Sequence, residues 1–158
     1  MKKWIFIIVL LLLVIFTGVS INVYVNAVKP VKTAEEKAVV LAKKSTSLSK
    51  VNDFHIYHGL ESIDVIQGKN KKGENIIVWI PEKSKKVFVR KAKDGLSKNE
   101  AIQKLLQEKK PKQIISVRLG MERDIPLWEI YYRSNNNLIN YYYIDFETGE
   151  WLKKIENL

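Results

Sequence analysis

Apolar positions run unbroken from Trp4 to Phe16 (WIFIIVLLLLVIF) and continue in weaker form through Val19, Ile21, Val23 and Val25. No charged residue stands between Lys3 and Lys29. About 20 mostly apolar residues span a bilayer as a helix, and residues 4–25 meet that length. A secretory signal would have a shorter apolar core with a small-residue cleavage site close behind it. Val25-Asn26-Ala27 has that character but lies well past the strong run, so cleavage near Ala27 is the rival to an uncleaved anchor. The pattern predicts a transmembrane helix within residues 1–28. Two lysines in the three-residue tail put the N-terminus in the cytoplasm and the rest outside, although Lys29 and Lys32 dilute the asymmetry.

Beyond residue 28 the period changes, and it changes twice. Ala38, Leu41 and Ala42 recur at helical spacing, and a constant offset of 64 residues leads to Ile102, Leu105 and Leu106. Each set follows an S/T-x-x-E box, Thr33-Ala34-Glu35-Glu36 and Ser97-Lys98-Asn99-Glu100. In such a box the hydroxyl and the carboxylate satisfy free backbone N–H groups at a helix start. The same offset aligns Asn75–Ile80 with Ile139–Ile144, Lys83–Lys86 with Glu147–Glu150, and Val87-Phe88 with Trp151-Leu152. A gapless register of this kind marks an internal duplication. The expected modules are residues 29–94 and 95–158, joined at Lys93-Asp94-Gly95 with so little slack that they should touch.

Behind each helix, alternating β-branched and aromatic residues separated by turn signals predict four strands. They fall near 52–58, 62–68, 75–80 and 86–91, then near 113–121, 126–133, 138–146 and 150–155. The fold class is therefore α+β: two tandem modules, each one helix packed on an antiparallel sheet, after the N-terminal helix. Alternation assigns Ile76, Val78 and Ile80, with Tyr142, Ile144 and Phe146, to the helix-covered faces. Ile77, Trp79, Tyr141 and Tyr143 point the other way. A domain of about 60 residues is marginal alone, so these four are candidates for burial between the copies or for a partner surface, where Trp and Tyr are enriched.

The chain has no cysteine, which removes disulfides and a lipoprotein attachment site, and its net charge is +10. Lysines gather at turns of the first copy: Lys69, Lys71 and Lys72, then Lys83, Lys85 and Lys86. They are solvated guards of edge strands and turns, or contacts for an anionic lipid surface or wall polymer, worth about 1 kcal/mol per charge. Export excludes nucleic acid. His55 and His58 stand three apart on a strand and so face opposite sides, unsuited to a shared metal. No nucleophile elbow, phosphate loop or zinc-binding helix motif occurs. Asp145 and Glu147 fall at a wet hairpin end, where they stabilise a turn. The expectation is a binding protein, without cofactor, metal or catalytic residues.

Leu127-Trp128-Glu129-Ile130, then Tyr142-Tyr143-Ile144-Asp145-Phe146-Glu147-Thr148-Gly149-Glu150-Trp151-Leu152, resembles the PepSY domain. That family has a Trp-x-Val strand followed by a Tyr-Tyr-Val-Asp-x-x-Thr-Gly-Glu-Val-Leu hairpin. The likeness covers residues 97–155. The first copy departs from it, with Trp79-Ile80-Pro81-Glu82-Lys83-Ser84 in place of the acidic hairpin. An anchor followed by one degenerate and one good copy is similar to the YpmB/TseB-like cell wall elongation regulators. The resemblance implies a cystatin-like fold and a non-enzymatic extracytoplasmic role. It also implies a transpeptidase-type penicillin-binding protein as partner. The PepSY likeness alone implies an alternative, an inhibitory module controlling a secreted or membrane peptidase.

Overall fold

An unbroken helix, α1, runs from Lys2 to Ser45 in the computed structural model, which describes residues 2–158; Met1 lies outside the described residues. Residues 1–36 and 37–158 are separate units. In the first, the apolar side chains from Leu10 to Phe16 are all exposed. The window beginning at Leu10 has mean hydropathy 2.0, so α1 is long and apolar enough to cross a membrane.

The Thr33 box does not start a helix. Capping needs free amides, and here the residues before Thr33 are already helical, so the amides of 33–36 have intrahelical acceptors upstream. Pro30 removes one N–H and crowds the preceding turn, yet the helix continues through it. The Ser97 box does cap α2, Lys98–Glu108. The Glu100 N–H donates to Ser97 Oγ at 3.3 Å, and the Ser97 N–H donates to Glu100 Oε2 at 2.7 Å.

Residues 37–158 carry two four-stranded antiparallel sheets, each in simple sequence order. The first holds β1 (Leu48–His58), β2 (Ser62–Asn70), β3 (Asn75–Pro81) and β4 (Phe88–Lys91). The second holds β5 (Gln113–Glu122), β6 (Ile125–Arg133), β7 (Ile139–Asp145) and β8 (Trp151–Ile155). β1 begins earlier than its pattern predicts because register shifts at Leu48/Lys50 and Val51/Asp53 break the two-residue period there. At the turns the side chains do backbone work. Asn70 Oδ1 accepts from the N–H groups of Lys72 and Glu74, and Asp145 Oδ1 accepts from those of Glu147 and Thr148. Arg123 and Asp124, at φ 50° and 65°, form the two-residue turn whose twist suits a tight hairpin.

The last turns of α1 bury Ala38 and Ala42 against Ile66, Ile76, Val78 and Ile80, with Leu48 closing the end. Small residues on the helix allow this close approach. The opposite face of that sheet is covered by the second module. One continuous core joins Tyr57, Ile63, Val65, Ile77 and Trp79 to Ala101, Leu105, Leu119, Met121, Trp128 and Phe146. The linker is clamped as well, since the Leu96 N–H donates to the Phe146 carbonyl at 2.7 Å and Trp128 Nε1 donates to the Leu96 carbonyl at 2.8 Å.

Candidate functional site

Of the four aromatic-face candidates, Ile77 and Trp79 are buried between the modules. That corrects any reading of them as surface contacts: alternation gives the side of a strand, and here the other module occupies that side. Tyr143 is also buried, while Tyr141 is half-buried. On the side of the second sheet that faces away from the Trp128, Ile130 and Tyr142 side chains, Tyr131 and Tyr141 are half-buried, while Glu129 is buried with Tyr143.

On this face the ladder sets Glu129 opposite Tyr143 and Tyr131 opposite Tyr141. Tyr131 and Tyr141 stack at 4.8 Å between centroids, and Tyr141 and Tyr143 at 6.3 Å, with planes within 20°. The three rings thus form a stripe across two strands. Around it lies an ion network. Arg118 Nε donates to Glu129 Oε1 at 2.7 Å, and the Glu129 side chain is only 4% exposed. Lys153 Nζ reaches both oxygens of Glu122, at 2.8 and 2.6 Å, and sits 4.3 Å over the Tyr143 ring. The Tyr57 hydroxyl, from the first module, donates to Glu122 Oε1 at 3.0 Å.

Burial, followed by the nearby Glu129 carboxylate, pushes the Tyr143 and Tyr57 phenols well above the ordinary tyrosine range. They stay protonated donors at any physiological pH. Each carboxylate here carries a cation partner, and the phenols are neutral. Carboxylates, cations and phenols are thus tied into one network that spans both modules.

A cleft of about 360 Å³ lies between the modules, lined by Asp53, His55, Gln67, Leu96, Val117 and Trp128 among others. His55 Nε2 is 2.9 Å from the Leu119 carbonyl, which can only accept, so Nε2 carries the proton. Its Nδ1 faces Asp53 at 3.6 Å, and Asp53 accepts from Gln67 Nε2 at 2.9 Å. The histidine is thereby a tie between β1 and β5. His58 is exposed, 3.3 Å from Ser62 Oγ. Among the described residues, no group of three His, Cys, Asp or Glu is placed to hold a metal ion.

The six lysines are exposed, but they divide. Lys69, Lys71 and Lys72 sit where β2 turns into β3, and Lys83, Lys85 and Lys86 where β3 ends. The length of β3, roughly 20 Å at strand rise, separates the groups, so they do not form one patch. Lys86 is engaged with Asp124 at 3.3 Å and lies 4.4 Å over the Phe88 ring. Asp145 serves its turn, and Glu147 pairs with Arg90.

Sequence reasoning missed Tyr131 and the network of Arg118, Glu122, Glu129, Lys153 and Tyr57. One signal was present: Glu129 stands in the middle of the apolar run Leu127-Trp128-Glu129-Ile130. A charge there requires a paired, hydrogen-bonded environment.

Comparison with known proteins gives concordant matches. Residues 37–81 match the family model for a cell wall elongation regulator TseB-like domain. Residues 95–155 match that for the peptidase propeptide and YPEB domain, PepSY. The probable cell wall elongation regulator TseB of Bacillus subtilis (strain 168) is 33% identical over 138 residues, 87% of this chain and 86% of that protein. The solved structure of the YpmB protein from Bacillus subtilis superposes with a TM-score of 0.73 at 34% identity, covering 77% of this chain and 95% of that one.

Proposed function

The chain belongs to the TseB-like, PepSY-containing cell wall elongation regulators, and from that premise we propose that it is a membrane-anchored adaptor for a transpeptidase-type penicillin-binding protein. In this reading α1 anchors the chain with its N-terminus in the cytoplasm. Residues 37–158 stand outside and bind the transpeptidase, regulating wall elongation without performing chemistry of their own. The observation that carries it is the Tyr131–Tyr141–Tyr143 stripe with its paired charges. Rigid tyrosines and arginine, with few unpaired charges, are what the centre of a protein interface is made of.

The test uses the full chain in lipid nanodiscs, titrated with the soluble extracytoplasmic domain of the elongation transpeptidase from the same cell. Saturable binding is expected. Tyr141→Ser should weaken it about tenfold, a loss of roughly 1.4 kcal/mol, with the protein still folded at the assay temperature. No binding by the unsubstituted chain defeats the proposal.

A second reading is favoured by the match of residues 95–155 to a domain described as a peptidase propeptide. It makes the chain an inhibitory module for a secreted or membrane peptidase. Inhibition of that peptidase by the nanodisc-held chain, with no transpeptidase binding, would establish it instead.

A further inference from the structure

Beside the tyrosine stripe opens a second pocket, of about 260 Å³, with Leu60, Ile125, Leu127, Leu152, Tyr143 and Lys153 in its wall. Leu127 and Tyr143 make a buried floor. Leu60 and Ile125 stand at the rim with 62% and 42% of their surface in water. The two rim residues come from different modules: Leu60 from the β1–β2 turn, Ile125 from the start of β6. Neither is a loose end. Ile125 follows the fixed left-handed pair Arg123-Asp124. Leu60 follows Gly59, packed so tightly on Tyr57 that a Cβ there would fall 2.5 Å from its ring.

The charge at the rim has one sign left over. Lys153 is neutralised by Glu122, and Asp124 by Lys86. Arg123 also lines the pocket, is exposed, and has no ion-pair partner among the described residues. The volume lies below the roughly 300 Å³ at which small-molecule sites begin. It suits one apolar side chain of a larger partner.

We infer that this pocket is the anchor point for the transpeptidase, receiving an apolar side chain whose neighbouring carboxylate pairs with Arg123. The inference rests on the adaptor reading above and adds the contact and its chemistry. It also gives the first module, which departs from the PepSY pattern, a part in recognition. The pocket lacks one side of its rim unless Leu60 is held beside the second module, and that position depends on Tyr57 seated against Gly120 and hydrogen-bonded to Glu122.

The experiment titrates nanodisc-held full chain with the soluble extracytoplasmic domain of the transpeptidase, for the unsubstituted protein and for Leu60→Asp, Ile125→Asp and Arg123→Gln. Each rim substitution should weaken binding at least tenfold, and Arg123→Gln should also flatten its salt dependence. The milder Leu60→Ser and Ile125→Ser replace either aspartate variant if its melting temperature falls. Wild-type affinity in all folded rim variants overturns the pocket while leaving the adaptor reading standing. No binding by the unsubstituted chain overturns the transpeptidase as occupant, and with it the adaptor reading.

Discussion

The ring of Trp79 meets the ring of Phe146 edge-on, at 5.5 Å between centroids and 64° between planes. Trp79 belongs to β3 of the first module, and Phe146 follows β7 of the second; both are fully buried. The contact therefore reports on docking of the modules. Trp79→Ala or Phe146→Ala should each destabilise residues 37–158 by about 3–5 kcal/mol, the range for large-to-small core changes. The double variant should show a coupling of about 0.5–1.5 kcal/mol, as aromatic pairs give. Urea denaturation of the four proteins checks both. Simple additivity would mean that the two rings stabilise their modules separately.

The sequence pattern revealed the strands, the turns and the α2 cap because each is set by neighbours within a few residues. Asn70, Asp145 and the Ser97 box all act on amides within four positions of themselves. Alternation also placed Ile76, Val78 and Ile80 under α1 correctly. What covers Ile77 and Trp79 was not legible, since that depends on docking between segments more than sixty residues apart, as in the Trp79–Phe146 pair. The Thr33 box failed for a related reason: its meaning depends on whether the chain before it is already helical.

Two glycines mark where the backbone approaches something closely. A Cβ on Gly120 would stand 2.6 Å from the Tyr57 ring, and one on Gly68 would collide with the Lys50 carbonyl oxygen beside the β1 bulge. The Tyr57 ring has little freedom to retreat because its hydroxyl is held by Glu122. Gly120→Ala and Gly68→Ala should each destabilise by about 1–3 kcal/mol, the usual penalty for overpacking. In Gly120→Ala, the amides of β1 near Tyr57 should also lose hydrogen-exchange protection. Full protection there would show that the ring has somewhere else to go.

Acid should loosen the first sheet in a defined window. Hydrogen bonds from Lys91 at 2.9 Å and Asn70 at 2.8 Å pull the Glu74 carboxyl down to about 2, from an ordinary value of 4.5. A folded-state value below the unfolded one gives stability that is complete above pH 4.5 and drains away as pH falls toward 2. The capping hydrogen bonds with Ser97 lower Glu100 in the same sense. Urea midpoints measured from pH 6 to pH 2 should therefore fall, and Glu74→Gln should make the fall shallower. An identical slope in that variant would remove Glu74 from the account.

The Arg118–Glu129 pair is asymmetric: the arginine side chain is 41% exposed and the glutamate 4%. Which partner is removed should therefore matter. Arg118→Ala leaves a carboxylate buried without its strongest donor, which costs about 1–3 kcal/mol. It also strips an aliphatic stem and guanidinium from beside the Tyr57 ring, whose centroid is 6.0 Å from the Arg118 Cζ. Glu129→Gln keeps an acceptor for Arg118 and leaves the cation where water reaches it. The smaller loss is expected from Glu129→Gln, and thermal denaturation of the two single variants and the double variant decides it. Should Glu129→Gln prove the more damaging, the carboxylate's charge, rather than its hydrogen bonds, organises the tyrosine face.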